Sequence, residues 1–103
     1  MSKHLHRDLD HLHRQILTLS AMVEEMIDKS IAALSDHRRD LADEVIASDN
    51  SVDQAEVQIE EECLKILALH QPVAADLRRI ATVMKVNSDL ERIADLAVSI
   101  AER

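Results

Sequence analysis

The chain has 103 residues and a formal charge of −8, with 47% apolar content, no Gly, a single Pro and no Phe, Tyr or Trp. Strands favour aromatic and β-branched residues and need turn residues between them, so this composition excludes a β fold and points to helices around an aliphatic core. The acidic balance disfavours a nucleic-acid backbone or an anionic lipid surface as the main partner, and the lack of aromatics removes the stacking platforms of single-strand binders.

One domain over residues 1–103 is the expectation for this length. The lone Cys63 cannot close an internal disulfide, and the polar start MSKHLHRDLDHLHRQ does not read as a secretory leader. No apolar run approaches the ~18 residues of a spanning helix. A cytoplasmic location without membrane insertion is therefore expected.

The first helix is predicted from about Arg7 to Leu34. Its apolar row is Leu9, Leu12, Ile16, Leu19, Val23 and Met26, continued by Ser30 and Ala33, with alternating steps of three and four residues. The segment Ser35 to Asp40 is a polar break, and Asp40 is placed to cap the next helix. The second helix is predicted from about Leu41 to Leu69, on the row Leu41, Val45, Ser48, Val52, Ala55, Ile59, Cys63 and Ile66. His70-Gln71-Pro72 ends it, because proline suits a helix start and disfavours helix in the residue before it. The third helix runs from about Val73 to the end. Short connections make the helices antiparallel neighbours, so an all-α, up-down-up three-helix bundle is predicted.

Two acidic pairs interrupt these rows. In the third helix, Leu77, Met84, Glu91 and Val98 are seven apart, so Glu91 stands where an apolar residue is expected, with Asp95 one turn on. In the second helix, Ile46, Asp53, Glu60 and Leu67 form a row that is acidic in the middle, with Asp49 one turn before Asp53. Asp53 and Glu91 are each 19 residues from Pro72, and Asp49 and Asp95 are each 23 from it. In an antiparallel hairpin equal offsets meet at equal heights, about 28 to 35 Å from the turn.

Four carboxylates brought together repel each other and resist desolvation. Either they stay solvated or a cation compensates them. Oxygen-only ligands suit Mg, Ca and Mn, and carboxylate-rich helical sites also hold iron, whereas a structural zinc site of the N/S type lacks its ligands here. Both readings, a solvated acidic face and a metal site, stand open on the spacing alone.

The segments LALHQPVAADLRRI and DLERIADLAVSIAE resemble the PhoU family of phosphate-signalling regulators, and LSAMVEEMIDKSIAAL is similar to that family's first helix. The family's three-helix repeat carries one D/E-x-x-x-D pair on its second helix and another on its third. The matches here are Asp49 and Asp53 in DNSVD, and Glu91 and Asp95 in ERIAD. The resemblance implies a metal site on those four residues, holding iron first, with manganese, zinc or magnesium as alternatives. It also implies a cytoplasmic regulator of phosphate uptake and phosphate-starvation signalling, an adaptor between the ATPase of the phosphate ABC transporter and a sensor histidine kinase rather than an enzyme. Ala94 stands where Gly is common in the family and Ser99 where Asn is common. The family usually carries two such repeats and this sequence has one, so self-association is expected. The alternative is a helical oligomerisation module that binds no metal.

Other polar residues carry less. His4, His6, His11 and His13 lack the i,i+4 spacing of a helical metal clamp and read as solvated surface. Cys63 reads as a small core residue, and Met22, Met26 and Met84 as core filler. Arg78 and Arg79 with Asp76 are expected to form surface pairs and helix-end interactions. No nucleophile–base arrangement or glycine-rich phosphate loop supports catalysis.

Overall fold

A computed structural model describes the backbone of residues 2–103 and the side chains from His4 onward. It consists of three helices, α1 (Ser2–Asp36), α2 (Arg39–His70) and α3 (Ala74–Ala101), each packed against both others. The bundle measures 54 × 18 × 15 Å. That long dimension is about the length of α1 at 1.5 Å per residue, so the helices lie nearly side by side. No described helix is long and apolar enough to cross a membrane.

The apolar row of α1 is buried throughout, from Leu9 to Ala33, including Ser30. Leu5 continues it and is also buried, which carries α1 past the predicted start at Arg7 to Ser2. Val45, Val52, Ile59, Cys63 and Ile66 of α2 complete the aliphatic seam.

With no glycine in the chain, both turns place other residues in the left-handed region. His37 has φ 54° after the last turn of α1, and the Arg38 amide donates to the Ala33 carbonyl at 3.0 Å. That six-to-one bond closes the helix in the Schellman manner. Arg38, not Asp40, is the N-cap of α2, and its side chain caps nothing. Asp40 sits inside the first turn and accepts two hydrogen bonds from Arg38, at 2.9 and 2.7 Å. The prediction for Asp40 fails because the break is only two residues long. At the second turn, Gln71 has φ 44° and donates its amide to Leu67. Pro72 is buried and Val73 is extended, so the chain reverses where the proline predicted.

The seam of α3 differs from the predicted row. Ile80, Asn87, Ala94 and Ala97 are its buried residues. Leu77 and Met84 are 45% and 36% exposed, and Glu91 is exposed beside them. The row Leu77–Met84–Glu91 therefore runs along the margin of the α2–α3 groove, and Met84 is not core filler. Beyond Ile80 the buried positions of α3 are held by Asn87, Ala94 and Ala97, with Val83, Val86 and Leu90 packed beside them, and Leu77 and Met84 lie to one side of that seam.

Candidate functional site

The α2–α3 face gathers the acids. Asp49, Asp53, Glu56 and Glu60 fall at i, i+4, i+7 and i+11 along one strip of α2. Glu91 and Asp95 form the facing strip of α3. A buried hydrogen bond fixes their register: the Asn87 side-chain amide donates to the Glu56 carbonyl at 3.0 Å. Glu56 lies 16 residues before Pro72 and Asn87 15 after it, so the helices meet at nearly equal offsets, as the sequence predicts.

Asp53, Glu91 and Asp95 are exposed and Asp49 is half-buried. Burial raises the Asp49 pKa above the ordinary carboxylate value, with the charges of Asp53, Asp95 and Glu102 adding to it. The two helices thus hold their acids within electrostatic reach. Among the described residues, however, no group of three or more His, Cys, Asp or Glu side chains converges closely enough to hold a metal ion.

Glu56 is the residue that sequence reasoning missed. It is 5% exposed, and its pKa is raised to about 7, first by burial, then by the charges of Glu91, Asp53 and Asp95. The Glu91 carboxylate lies within hydrogen-bonding reach of it. Three buried oxygens on this face have no hydrogen-bond partner: Asp49 Oδ1, Glu56 Oε1 and Asn87 Oδ1. Buried acceptors without donors are costly, and a cation would satisfy them. In donor chemistry the set fits a hard, oxygen-seeking ion, with carboxylates and a side-chain amide oxygen and no sulfur or imidazole. A cleft of about 280 Å³ opens over Glu56, Glu60, Asn87, Ser88 and Glu91. A larger cleft of about 450 Å³ lies at the far end of the bundle, between the α1–α2 turn and the end of α3. Its rim charges Arg38 and Arg39 are already paired with Asp40 and Asp43, and no orphaned oxygen lines it.

The remaining candidates fall as follows. His4, His6, His11 and His13 are exposed. Burial pushes the Cys63 thiol up to about 11, which leaves it an inert core group. Among the described residues Arg78 and Arg79 make no ion pair, which corrects the expected pairing with Asp76. Asp76 occupies the first turn of α3, where a negative charge suits the helix dipole, as the helix-end part of the expectation has it. His70 Nε2 lies 2.8 Å from Asp8 Oδ2 and ties α1 to the end of α2. No local signal marks that pair, which is 62 residues apart in sequence.

The PhoU domain profile matches residues 16–103. The phosphate-specific transport system accessory protein PhoU homolog of Aquifex aeolicus is 43% identical over 99 residues, covering 96% of this chain and 45% of that protein. The corresponding Escherichia coli K12 protein is 37% identical over 101 residues, covering 94% and 42%. The crystal structure of the phosphate transport system regulatory protein PhoU from Streptococcus pneumoniae superposes with a TM-score of 0.88 at 33% identity, covering 95% of this chain and 46% of that one. This chain spans about half the length of the curated relatives it matches.

Proposed function

This chain belongs to the PhoU family, and from that membership we propose that it serves the regulation of phosphate transport as a cation-binding adaptor. The relatives carry the names of accessory and regulatory proteins of the phosphate transport system, which supports a regulatory role over an enzymatic one. In this reading it works in the cytoplasm, between the ATPase of the phosphate ABC transporter and a sensor histidine kinase. The acidic α2–α3 face holds the cation through Asp49, Asp53, Glu91 and Asp95, with iron first and manganese, zinc or magnesium as alternatives.

One observation supports the cation part above the others: three oxygens are buried on this face with no donor to satisfy them, beside acids that depress each other's ionisation. A bound cation would supply positive charge that the chain itself lacks there. The residues' own part is to hold two pairs of carboxylates level across the groove.

Metal content of the purified protein, measured by mass spectrometry beside Asp53→Ala and Glu91→Ala, tests this. Metal in the wild type and its loss from both variants is the expected result. No metal in any sample after iron, manganese, zinc and magnesium have each been supplied refutes the metal reading.

A second reading, a helical module that associates without metal, draws on a different observation. Val57, Leu64, Leu69, Val73, Leu77 and Leu96 are large apolar residues left exposed. Contiguous exposed apolar surface marks contact sites. Light scattering at micromolar concentration should give a mass above the monomer, and a strictly monomeric mass counts against self-association.

A further inference from the structure

Glu56 lies outside both acidic pairs, yet it is the most deeply placed carboxylate on the face they share. It follows Asp53 by three residues, which puts it on the same strip of α2, one turn closer to the Pro72 turn. Unlike the pair residues it points inward, at 5% exposure, and its Oε1 has no partner. Asn87 reaches the same level from α3. It is 8% exposed, its amide nitrogen is committed to the Glu56 carbonyl, and its Oδ1 is therefore the atom left over, also without a partner. Both orphaned oxygens border the cleft that Glu60, Ser88 and Glu91 also line.

The Ser88 hydroxyl, the one other neutral donor at the cleft, bonds neither oxygen, and the acids beside it are the wrong kind. Glu60 and Glu91 are acceptors when ionised, so they cannot donate to Glu56 or Asn87. A water molecule would satisfy hydrogen bonding but leave the negative charge in place. A hard cation does both, because a carboxylate oxygen and an amide carbonyl oxygen are two of its ordinary ligands.

We propose that Glu56, with the side-chain oxygen of Asn87, is an inner ligand of a cation held at the Asp53–Glu91 level of the α2–α3 face, where Glu91 lines the same cleft. The inference rests on the metal reading above and adds residues from inside the groove to it. It gives the site a floor: Asp53 and Glu91 supply the outer ligands, and Glu56 and Asn87 close the side away from solvent. The hydrogen bond from the Asn87 side chain to the Glu56 backbone carbonyl holds the two residues at one level.

The test titrates Mn²⁺ into metal-free wild type, Glu56→Gln and Asp53→Ala, by calorimetry. The same proteins are then loaded with Tb³⁺, another oxygen-seeking cation, and the bound waters are counted from luminescence lifetimes in light and heavy water. Glu56→Gln should weaken Mn²⁺ binding by about tenfold or more and admit about one further water onto Tb³⁺, since water fills a vacated ligand position. Glu56→Asp, which keeps the charge but draws the carboxylate back by one methylene, should weaken binding too, and it replaces Gln if that variant folds poorly. Wild-type affinity and an unchanged water count in the Glu56 variants, with binding lost in Asp53→Ala, would overturn this inference and leave the metal reading standing. Weaker binding with an unchanged water count would also overturn it, by showing that Glu56 only positions other ligands. If the wild type binds neither ion, the face takes no hard cation and this inference is overturned, while the metal reading is decided by the supply of iron, manganese, zinc and magnesium described above.

Discussion

Glu56→Gln separates the electrostatics of the α2–α3 face from its packing. Gln has the shape of Glu and cannot ionise, so the variant removes a charge and leaves volume unchanged. Burial and the neighbouring acids raise the Glu56 pKa to about 7 in the fold, against 4.5 for an ordinary glutamate carboxyl. Its folded pKa is raised, so the native state holds the proton over a range in which the unfolded chain has lost it. Stability therefore falls as pH rises from about 4.5 to about 7 and levels off above that. At about 1.4 kcal/mol for each pH unit, the full penalty is about 3 kcal/mol, and less than 1 kcal/mol of it has developed by about pH 5. Metal-free Glu56→Gln should then exceed the wild type by about 3 kcal/mol at about pH 8, with the gap closing to below about 1 kcal/mol at about pH 5. Urea unfolding followed by far-ultraviolet circular dichroism, with unchanged m-values, measures both gaps. A gap that does not change with pH, or a variant less stable than the wild type at the higher pH, would refute the assignment of a buried, destabilising charge to Glu56.

Three further perturbations probe the scaffold. Ile59 is fully buried in the seam of α2, so Ile59→Ala should cost about 2 to 5 kcal/mol in the same urea assay, and a loss below about 1 kcal/mol would mean the seam is not packed there. Gln71 is held at φ 44°, and a non-glycine residue in that region costs about 1 to 2 kcal/mol, of which Gly returns part to unfolded-chain entropy. Gln71→Gly should raise stability by about 0.5 to 1 kcal/mol, and a fall in melting temperature would contradict the strain. Asp8 has its pKa lowered, first by the hydrogen bond with His70, so its contribution is present above the unfolded carboxylate pKa and is lost as pH falls through the folded value. Asp8→Asn should lower stability by about 1 kcal/mol near neutrality and by nothing once the pH is well below that range. An equal loss at both pH values would show that the pair is not electrostatic.

Much of this fold is legible in the sequence because α1 writes its buried row in large aliphatic residues at steps of three and four. Pro72 does the same for the hairpin: it fixes where the chain reverses, and the equal offsets of the acids follow from it. The register of α2 against α3 is therefore readable without any contact information. The seam of α3 is not, because Asn87, Ala94 and Ala97 carry little hydrophobic signal while Leu77 and Met84 carry more from the margin. Glu56 is hidden for a related reason. It stands in an acid-rich helix whose other acids are mostly exposed, and its one signal, a place four after Val52, three before Ile59 and seven before Cys63, is passed over when Ala55 is taken for the row. Only the approach of α3 buries it, and that approach depends on residues distant in sequence.

The same small residues connect packing to the site. Ala94 and Ala97 are fully buried at the height of Asp49 and Asp95, and side chains this short let α3 lie close against its neighbours. Close approach is what brings the acids of α2 and α3 within electrostatic reach, so the packing that stabilises the bundle also creates the repulsion within it. The ionised Glu56 alone opposes folding by about 3 kcal/mol above neutrality. A cation at about one hundred times its dissociation constant adds about 2.7 kcal/mol to a fold that binds it. At that loading the two terms are comparable in size and opposite in sign. On the proposed reading, a loaded bundle regains at neutral pH the stability that its acidic face removes, and its response to metal should be largest in the pH range where Glu56 is charged.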